Sequence, residues 1–182
     1  MSSPSHARRK LLKLGLASAV LAAPAAAFAS TGLNVRPRRV VFDNLHTGEK
    51  LNAVYWEQGK YVPDALHAVN HVLRDFRNGE VHPIAPKLLD LLDLLSARVE
   101  TNKPFQVISG YRSPKTNAKL HAKSGGVATK SLHMQGMAID IRLADVDLEK
   151  LRNAALGMAV GGVGYYPASD FVHVDIGRVR RW

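Results

Sequence analysis

The sequence predicts an α+β domain with a mainly antiparallel sheet and helices packed on one face of it. Three observations carry that expectation. Two β-prone runs are joined by a glycine turn near residue 48, two apolar segments between residues 63 and 99 repeat at helical spacing, and short alternating strands follow after residue 105. The resulting order of hairpin, helices, strand, helix and strands belongs to that class. With 182 residues, 46% hydrophobic and 22% charged, the chain is long enough to bury one real core, and disorder is not expected.

Residues 1–29 contain no acidic residue and run from Ala7-Arg8-Arg9-Lys10-Leu11-Leu12-Lys13 through an apolar Leu/Ala stretch to Ala27-Phe28-Ala29. A charged start, an apolar middle and a small-x-small end are the parts of a cleavable signal peptide, with cleavage expected after Ala29. The adjacent arginines resemble a twin-arginine signal, whose cargo is exported already folded. A membrane anchor is disfavoured, because the stretch from Leu14 to Ala29 is alanine-rich, contains Pro24 and is shorter than the roughly 20 residues a span needs. Loss of Arg8, Arg9, Lys10 and Lys13 takes the formal charge from +10 to +6. The remaining basic residues are scattered rather than set in a stripe with aromatics, so nucleic acid is not the expected partner, and an anionic envelope polymer or membrane surface suits the charge better.

Residues 30–182 read as a single domain without repeat or linker. Arg38 to Asp43 and Leu51 to Gln58 form the expected hairpin, with Gly48 in its turn. A helix is expected from Pro63-Asp64, with Ala65, Leu66, Val69, Val72, Leu73 and Phe76 on its apolar face, until Asn78-Gly79 ends it. Pro86 opens a second helix, rich in leucine, that runs to about Val99. Phe105 to Ile108 reads as a strand entering the turn Ser109-Gly110-Tyr111-Arg112-Ser113-Pro114. Residues 115–130 read as a short helix and an exposed loop. From Met137 to Leu143 the alternation puts Ile139 and Ile141 toward the core and Asp140 on the opposite face. Leu148 to Met158 has helical spacing, Gly161 to Pro167 is a glycine-rich strand and turn, and in the last strand His173 and Asp175 share the face opposite Val172 and Val174.

The chain has no cysteine, which excludes disulfides, thiol catalysis and cysteine-held zinc, so that any metal must be bound by histidines and carboxylates. His133, Asp140 seven residues on and His173 a further 33 along make an N,O,N donor set suited to a zinc ion that keeps one position for water. Taken bare, that spacing is weak, and ordinary surface or capping residues produce it often.

The surrounding residues say more. Ile108-Ser109-Gly110-Tyr111-Arg112-Ser113, Ser131 to Asp140 (SLHMQGMAID), Gly161 to Pro167 (GGVGYYP) and Phe171-Val172-His173-Val174-Asp175 together resemble the zinc D-Ala-D-Ala metallopeptidase superfamily, in the branch of MepK/YcbK-like murein endopeptidases. The resemblance covers essentially the whole chain. It implies a hedgehog-like α+β fold, a periplasmic location and hydrolysis of peptide bonds in peptidoglycan cross-links. By position it makes His133, Asp140 and His173 the ligands of Zn2+ and Arg112 a group that binds the substrate carbonyl or carboxylate. A guanidinium beside a zinc site can hold a developing oxyanion, whereas from its turn position alone Arg112 could equally be a surface ion-pair partner.

Two aspartates are candidates for the general base. Asp170 stands three positions before His173, where relatives in the superfamily often place an acid, and Asp175 stands two after it, on the same strand face. Both are kept, with Asp170 slightly ahead as base and Asp175 ahead as a carboxylate that orients an imidazole. His67 and His71 are four apart on a helix, but Ala68 occupies the place where a zincin motif needs Glu. They are expected at the surface, while His46, His82 and His121 fall in turns or loops without evident partners. Tyr165 and Tyr166 are candidates for a groove wall, and the docking of Trp182 is not readable.

The expected activity is therefore a periplasmic, zinc-dependent murein endopeptidase acting on D-Ala to diaminopimelate or diaminopimelate to diaminopimelate bonds, as a monomer. A D,D-carboxypeptidase on stem peptides is the enzymatic alternative, and a non-catalytic peptidoglycan-binding domain is the other.

Overall fold

The β-branched and aromatic residues of Arg38–Asn44 (β1) and Lys50–Glu57 (β2) pair antiparallel, with Val40 and Phe42 buried and Gly48 at φ +72° in the turn. A computed structural model describes this chain over residues 36–124 and 127–182. The signal segment expected at residues 1–29 lies outside the described residues. A two-residue strand that the sequence pattern did not reveal, Lys60–Tyr61 (β3), extends β2.

Pro63 opens the helix Pro63–Val72 (α1), which ends well before Asn78. Tertiary hydrogen bonds take over there. Asn44 donates its side-chain amide to the Val72 carbonyl at 2.8 Å, Tyr111 N–H reaches the Leu73 carbonyl at 2.7 Å, and Asp75 N–H bonds Glu80 at 3.0 Å. Those pairings replace the helical ladder that the periodicity to Phe76 suggested. Pro86–Arg98 (α2) follows with Leu88, Leu89, Leu92 and Leu95 fully buried.

The second half of the chain supplies Phe105–Ser109 (β4), Pro114–Lys123 (α3), Ala138–Arg142 (β5), Leu148–Leu156 (α4), Gly162–Tyr166 (β6), Phe171–Asp175 (β7) and the short Arg180–Arg181 (β8). Among the described residues eight strands join one sheet in the order β3-β2-β1-β4-β5-β7-β6-β8. The sheet is mixed, which corrects the expectation of a mainly antiparallel one: β1 pairs parallel with β4, and β6 with β8. Between β1 and β4 the chain makes a hairpin and two helices, a connection long enough to return it in the same direction.

One hydrophobic cluster holds Val40, Phe42, Leu88, Leu89, Leu91, Leu92 and Leu95 of α2, Ile139, Ile141, Leu151, Val172 and Val174. β5 is buried on both faces, so its polar positions are enclosed rather than solvated. Among the described residues no helix is long and apolar enough to cross a membrane.

Candidate metal centre

β5 and β7 lie side by side with Asp140 directly opposite His173. Ile139, Ile141, Val172 and Val174 enter the core, and the two-residue period of a strand therefore sends Asp140, His173 and Asp175 to the other face. His133 comes from a single 3-10 turn, Leu132–Gln135, capped by the Ser131 hydroxyl, which accepts the His133 N–H. Gly136 closes that turn at φ +63°, and a Cβ there would lie 2.2 Å from the Pro83 carbonyl oxygen. Only glycine meets both demands. The Arg112 N–H bonds the His133 carbonyl at 3.2 Å, so the S-G-Y-R turn is clamped to the same loop.

The three expected ligands converge. His133 Nε2 lies 3.2 Å from His173 Nδ1 and 3.2 Å from Asp140 Oδ1, and His173 Nδ1 lies 2.9 Å from the same oxygen. All three residues are buried. A tetrahedral ion with ligands at 2.0–2.2 Å needs donor atoms separated by ~3.3 Å along each edge, close to these distances.

The outward nitrogens decide what faces inward. His133 Nδ1 sits 2.7 Å from the Gly110 carbonyl, which can only accept, so this nitrogen carries the proton and Nε2 of the neutral ring presents a lone pair. His173 Nε2 sits 3.1 Å from Asp175 Oδ2, leaving Nδ1 as the lone pair in the same way. Two imidazole lone pairs and a carboxylate therefore point at one small volume. That arrangement is repulsive unless positive charge, a bound cation or a proton on an imidazole, lies between the donors, and the donor set fits a zinc-type cation.

The acid–base behaviour has the same cause. Burial pushes the Asp140 carboxyl upward, but the facing His133 and His173 outweigh it and hold the group well below the usual carboxylate range. With no cation between the donors, burial pushes the His173 imidazole down, but the Asp140 and Asp175 carboxylates, which accept from the two nitrogens of the protonated ring, override it and raise its pKa.

Asp175 is fully buried and saturated. Besides His173 it accepts Gly162 N–H at 2.9 Å, Gly177 N–H at 2.8 Å and both amino groups of Arg180, at 2.6 and 3.1 Å. Burial raises its pKa, and the His173, Arg180 and backbone donors lower it further than burial raises it. Asp170 occupies the left-handed turn before β7, with its exposed carboxylate on Arg142. Neither geometry suits the general base expected of these two residues: Asp175 has no free oxygen lone pair toward the donor set, and Asp170 is held by an arginine outside the cleft.

Arg112 does reach the site. Its guanidinium is 3.6 Å from Asp140 Oδ2 and 3.4 Å from the Ser109 hydroxyl, and its buried Nε has no partner among the described residues. The donor set opens into a cleft of about 400 Å³ walled by Arg112, Ser131, Tyr166, Phe171, Arg180 and Trp182. Arg180 and Trp182 were not singled out from the sequence, since three arginines crowd positions 178–181 and spacing does not distinguish them. Among the described residues the other histidines stay apart from the cluster. His46 stacks on Phe76, His82 on Tyr111, and His71 lies 3.4 Å from Glu49.

The chain is similar to known proteins over nearly its whole length. The sequence profile of the family described as "Peptidoglycan L,D-endopeptidase MepK" matches residues 33–182. The Peptidoglycan L,D-endopeptidase MepK of Escherichia coli (strain K12) is 47% identical over 178 residues, covering 96% of each chain. The probable peptidoglycan L,D-endopeptidase MepK of Haemophilus influenzae is 38% identical over 179 residues, covering 96% of this chain and 95% of its own. A crystal structure of Serratia marcescens L-Ala D-Glu endopeptidase ChiX aligns over 42% of this chain and 62% of its own at 19% identity and a TM-score of 0.34, too low a similarity to define the fold.

Proposed function

Because the chain belongs to the MepK family of peptidoglycan endopeptidases, we propose that it hydrolyses the L,D cross-links of peptidoglycan, between two diaminopimelate residues, with a zinc ion held by His133, Asp140 and His173. The enzyme is a metallopeptidase of murein. The choice of zinc follows from a His2Asp donor set with tetrahedral spacing, and the choice of bond follows from the names of the relatives. The export signature in residues 1–29 supports action in the periplasm, where the substrate lies.

The observation that carries this reading is the convergence of three buried donors, with both outward imidazole nitrogens already satisfied, at the floor of an open cleft. Bound zinc supplies Lewis acidity and a water of lowered pKa. The protein's own groups do the rest. Gly110 and Asp175 fix the two imidazoles in the tautomers that present lone pairs. Asp175 is itself held by Arg180 and two backbone amides, so His173 cannot rotate without breaking several bonds. Arg112, with one buried nitrogen unpaired, donates to the oxygen on which negative charge develops when the peptide carbonyl is attacked.

Purified sacculi incubated with residues 30–182, with and without a chelator, test the reading. Chelator-sensitive conversion of cross-linked dimers to monomers is expected, with cleavage at diaminopimelate to diaminopimelate bonds when the fragments are weighed. Loss of a terminal D-Ala alone would mean a carboxypeptidase, and retention on sacculi without release would mean a binding domain.

A further inference from the structure

One wall of the cleft is built around an aromatic pair that the chemistry above does not use. Gly164 stands directly beside His173 in the β6–β7 ladder, and the two-residue period puts Tyr166 on the same face. The space above Gly164 is filled by the indole of Trp182: a Cβ on Gly164 would lie 2.7 Å from its ring. The Trp182 backbone is pinned there, its carbonyl accepting Tyr165 N–H at 3.0 Å and its N–H reaching the Val163 carbonyl at 3.3 Å. Its ring centroid is 5.2 Å from that of His173, and Arg180 lies 4.9 Å from the centre of the same indole.

The polar edge of that indole has one partner. Trp182 Nε1–H donates to the Tyr166 hydroxyl at 2.7 Å. An indole N–H is a donor only, so the phenolic oxygen must accept and its own proton must point elsewhere. Among the described residues no acceptor takes that proton. Tyr166 is stacked on Phe171 at 4.5 Å, which fixes the plane of its ring, and both residues line the cleft.

We infer that Tyr166 is a substrate-positioning residue, whose hydroxyl, oriented by Trp182, donates a hydrogen bond to a backbone carbonyl of the stem peptide flanking the scissile bond. A neutral donor on an aromatic wall matches a neutral amide oxygen, whereas Arg112 serves the charged one. The hydroxyl is bonded to the indole rather than to any of the three donors, so it acts on binding rather than on the reacting carbonyl. This inference rests on the proposed endopeptidase reading. Wild-type turnover in the same assay separates the two, because an inactive metal-loaded wild type sinks that reading before any variant is compared.

The test uses soluble cross-linked muropeptide dimers and metal-loaded wild type, Tyr166→Phe, Trp182→Phe and the double variant, with metal content measured for each. Loss of one neutral hydrogen bond predicts a KM about tenfold higher in Tyr166→Phe, with kcat within about threefold and full metal content. Trp182→Phe keeps a ring but removes the orienting N–H, so it raises KM by a smaller factor. If Trp182 acts through Tyr166, the double variant matches Tyr166→Phe alone. An unchanged KM in Tyr166→Phe overturns the inference, and independent multiplication of the two effects overturns the orienting role of Trp182. Binding is read without turnover by titrating a monomeric stem-peptide product into the Trp56→Phe variant, in which Trp182 is the only tryptophan of residues 30–182. Its emission should change saturably, and about tenfold more product should be needed once Tyr166→Phe is added. Equal binding with and without the hydroxyl would refute the hydrogen bond.

Discussion

Asp75 and Asp140 are both buried carboxylates held below the usual carboxylate range, yet they sit in corners of the molecule built on opposite rules. At Asp75, between α1 and α3, every neighbour is a donor. Ser113 N–H lies at 3.0 Å and Arg77 N–H at 3.1 Å, and the hydroxyls of Ser113 and Thr116 help to hold the charge. At Asp140 the neighbours are two imidazole nitrogens whose protons are committed elsewhere and one arginine at 3.6 Å. The first carboxylate is satisfied by hydrogen-bond donors alone, and the second is grouped with two imidazole nitrogens in a set that suits a shared cation. Burial and a lowered pKa are common to both, so they do not by themselves identify a functional group. The nature of the neighbours does.

The largest effect that sharpens this comparison is loss of a ligand. Asp140→Ala, His133→Ala or His173→Ala is expected to remove stoichiometric metal, read by mass spectrometry, and to lower hydrolysis by orders of magnitude, since each is one of three protein donors. Full metal content in His173→Ala would break the donor set. Asp175→Asn comes next, because it keeps the ligands but frees the His173 ring. Metal affinity should fall by about 10–100-fold in a competition titration.

Asp75→Ala is expected to do the converse. Leaving two backbone amides without an acceptor costs about 1–3 kcal/mol in urea unfolding, with metal content unchanged. A metal loss comparable to that of Asp175→Asn would erase the distinction between the two corners. The pH dependence follows from the same carboxylate. Burial pushes the Asp75 carboxyl up, but the Thr116 and Ser113 donors pull it lower still, so its folded pKa lies below its unfolded one. Its contribution to stability is fully present above the unfolded pKa of about 3.9 and is lost as pH falls through the folded pKa. The acid limb of the stability profile, recorded on the metal-free protein, should therefore be shallower in Asp75→Asn than in wild type.

The smallest effect is expected at Asp170. Its carboxylate is exposed and paired with Arg142, and such pairs contribute about 0–1 kcal/mol. Asp170→Asn should leave turnover near the wild-type rate, and a loss of orders of magnitude would return the proton-transfer role to this residue.

Much of this was legible in the sequence because it depends on short-range periods. The alternation in Met137 to Leu143 and in Phe171 to Ile176 put Asp140, His173 and Asp175 away from the core, as found. Gly48 marked a place where the backbone must turn, and it has positive φ. The proline-opened helices began where expected, at Pro63 and Pro86. The misreadings were those in which a distant segment competed with a local pattern. α1 stopped at Val72 because Asn44 and Tyr111 claimed its last carbonyls, and the parallel pairing of β1 with β4 depends on a connection whose path no local pattern records.

The sequence by itself determined the donor types and the face of each strand on which they lie, because side-chain direction in a strand is set by a two-residue period. Absence of cysteine limited the ligands to histidine and carboxylate, and the order of the motifs identified the family. Only the tertiary structure decided where each aspartate sits and what it bonds. Asp170 and Asp175 flank the same histidine at almost equal distance in the chain, yet one ends on Arg142 in solvent and the other is enclosed by Arg180, Gly162 and Gly177. The tertiary structure alone also seated Trp182 in the space left by Gly164, where its N–H meets the Tyr166 hydroxyl. Charge, donor count and burial are properties of the surroundings, and for each of these residues part of those surroundings comes from strands and turns that only the folded sheet brings together.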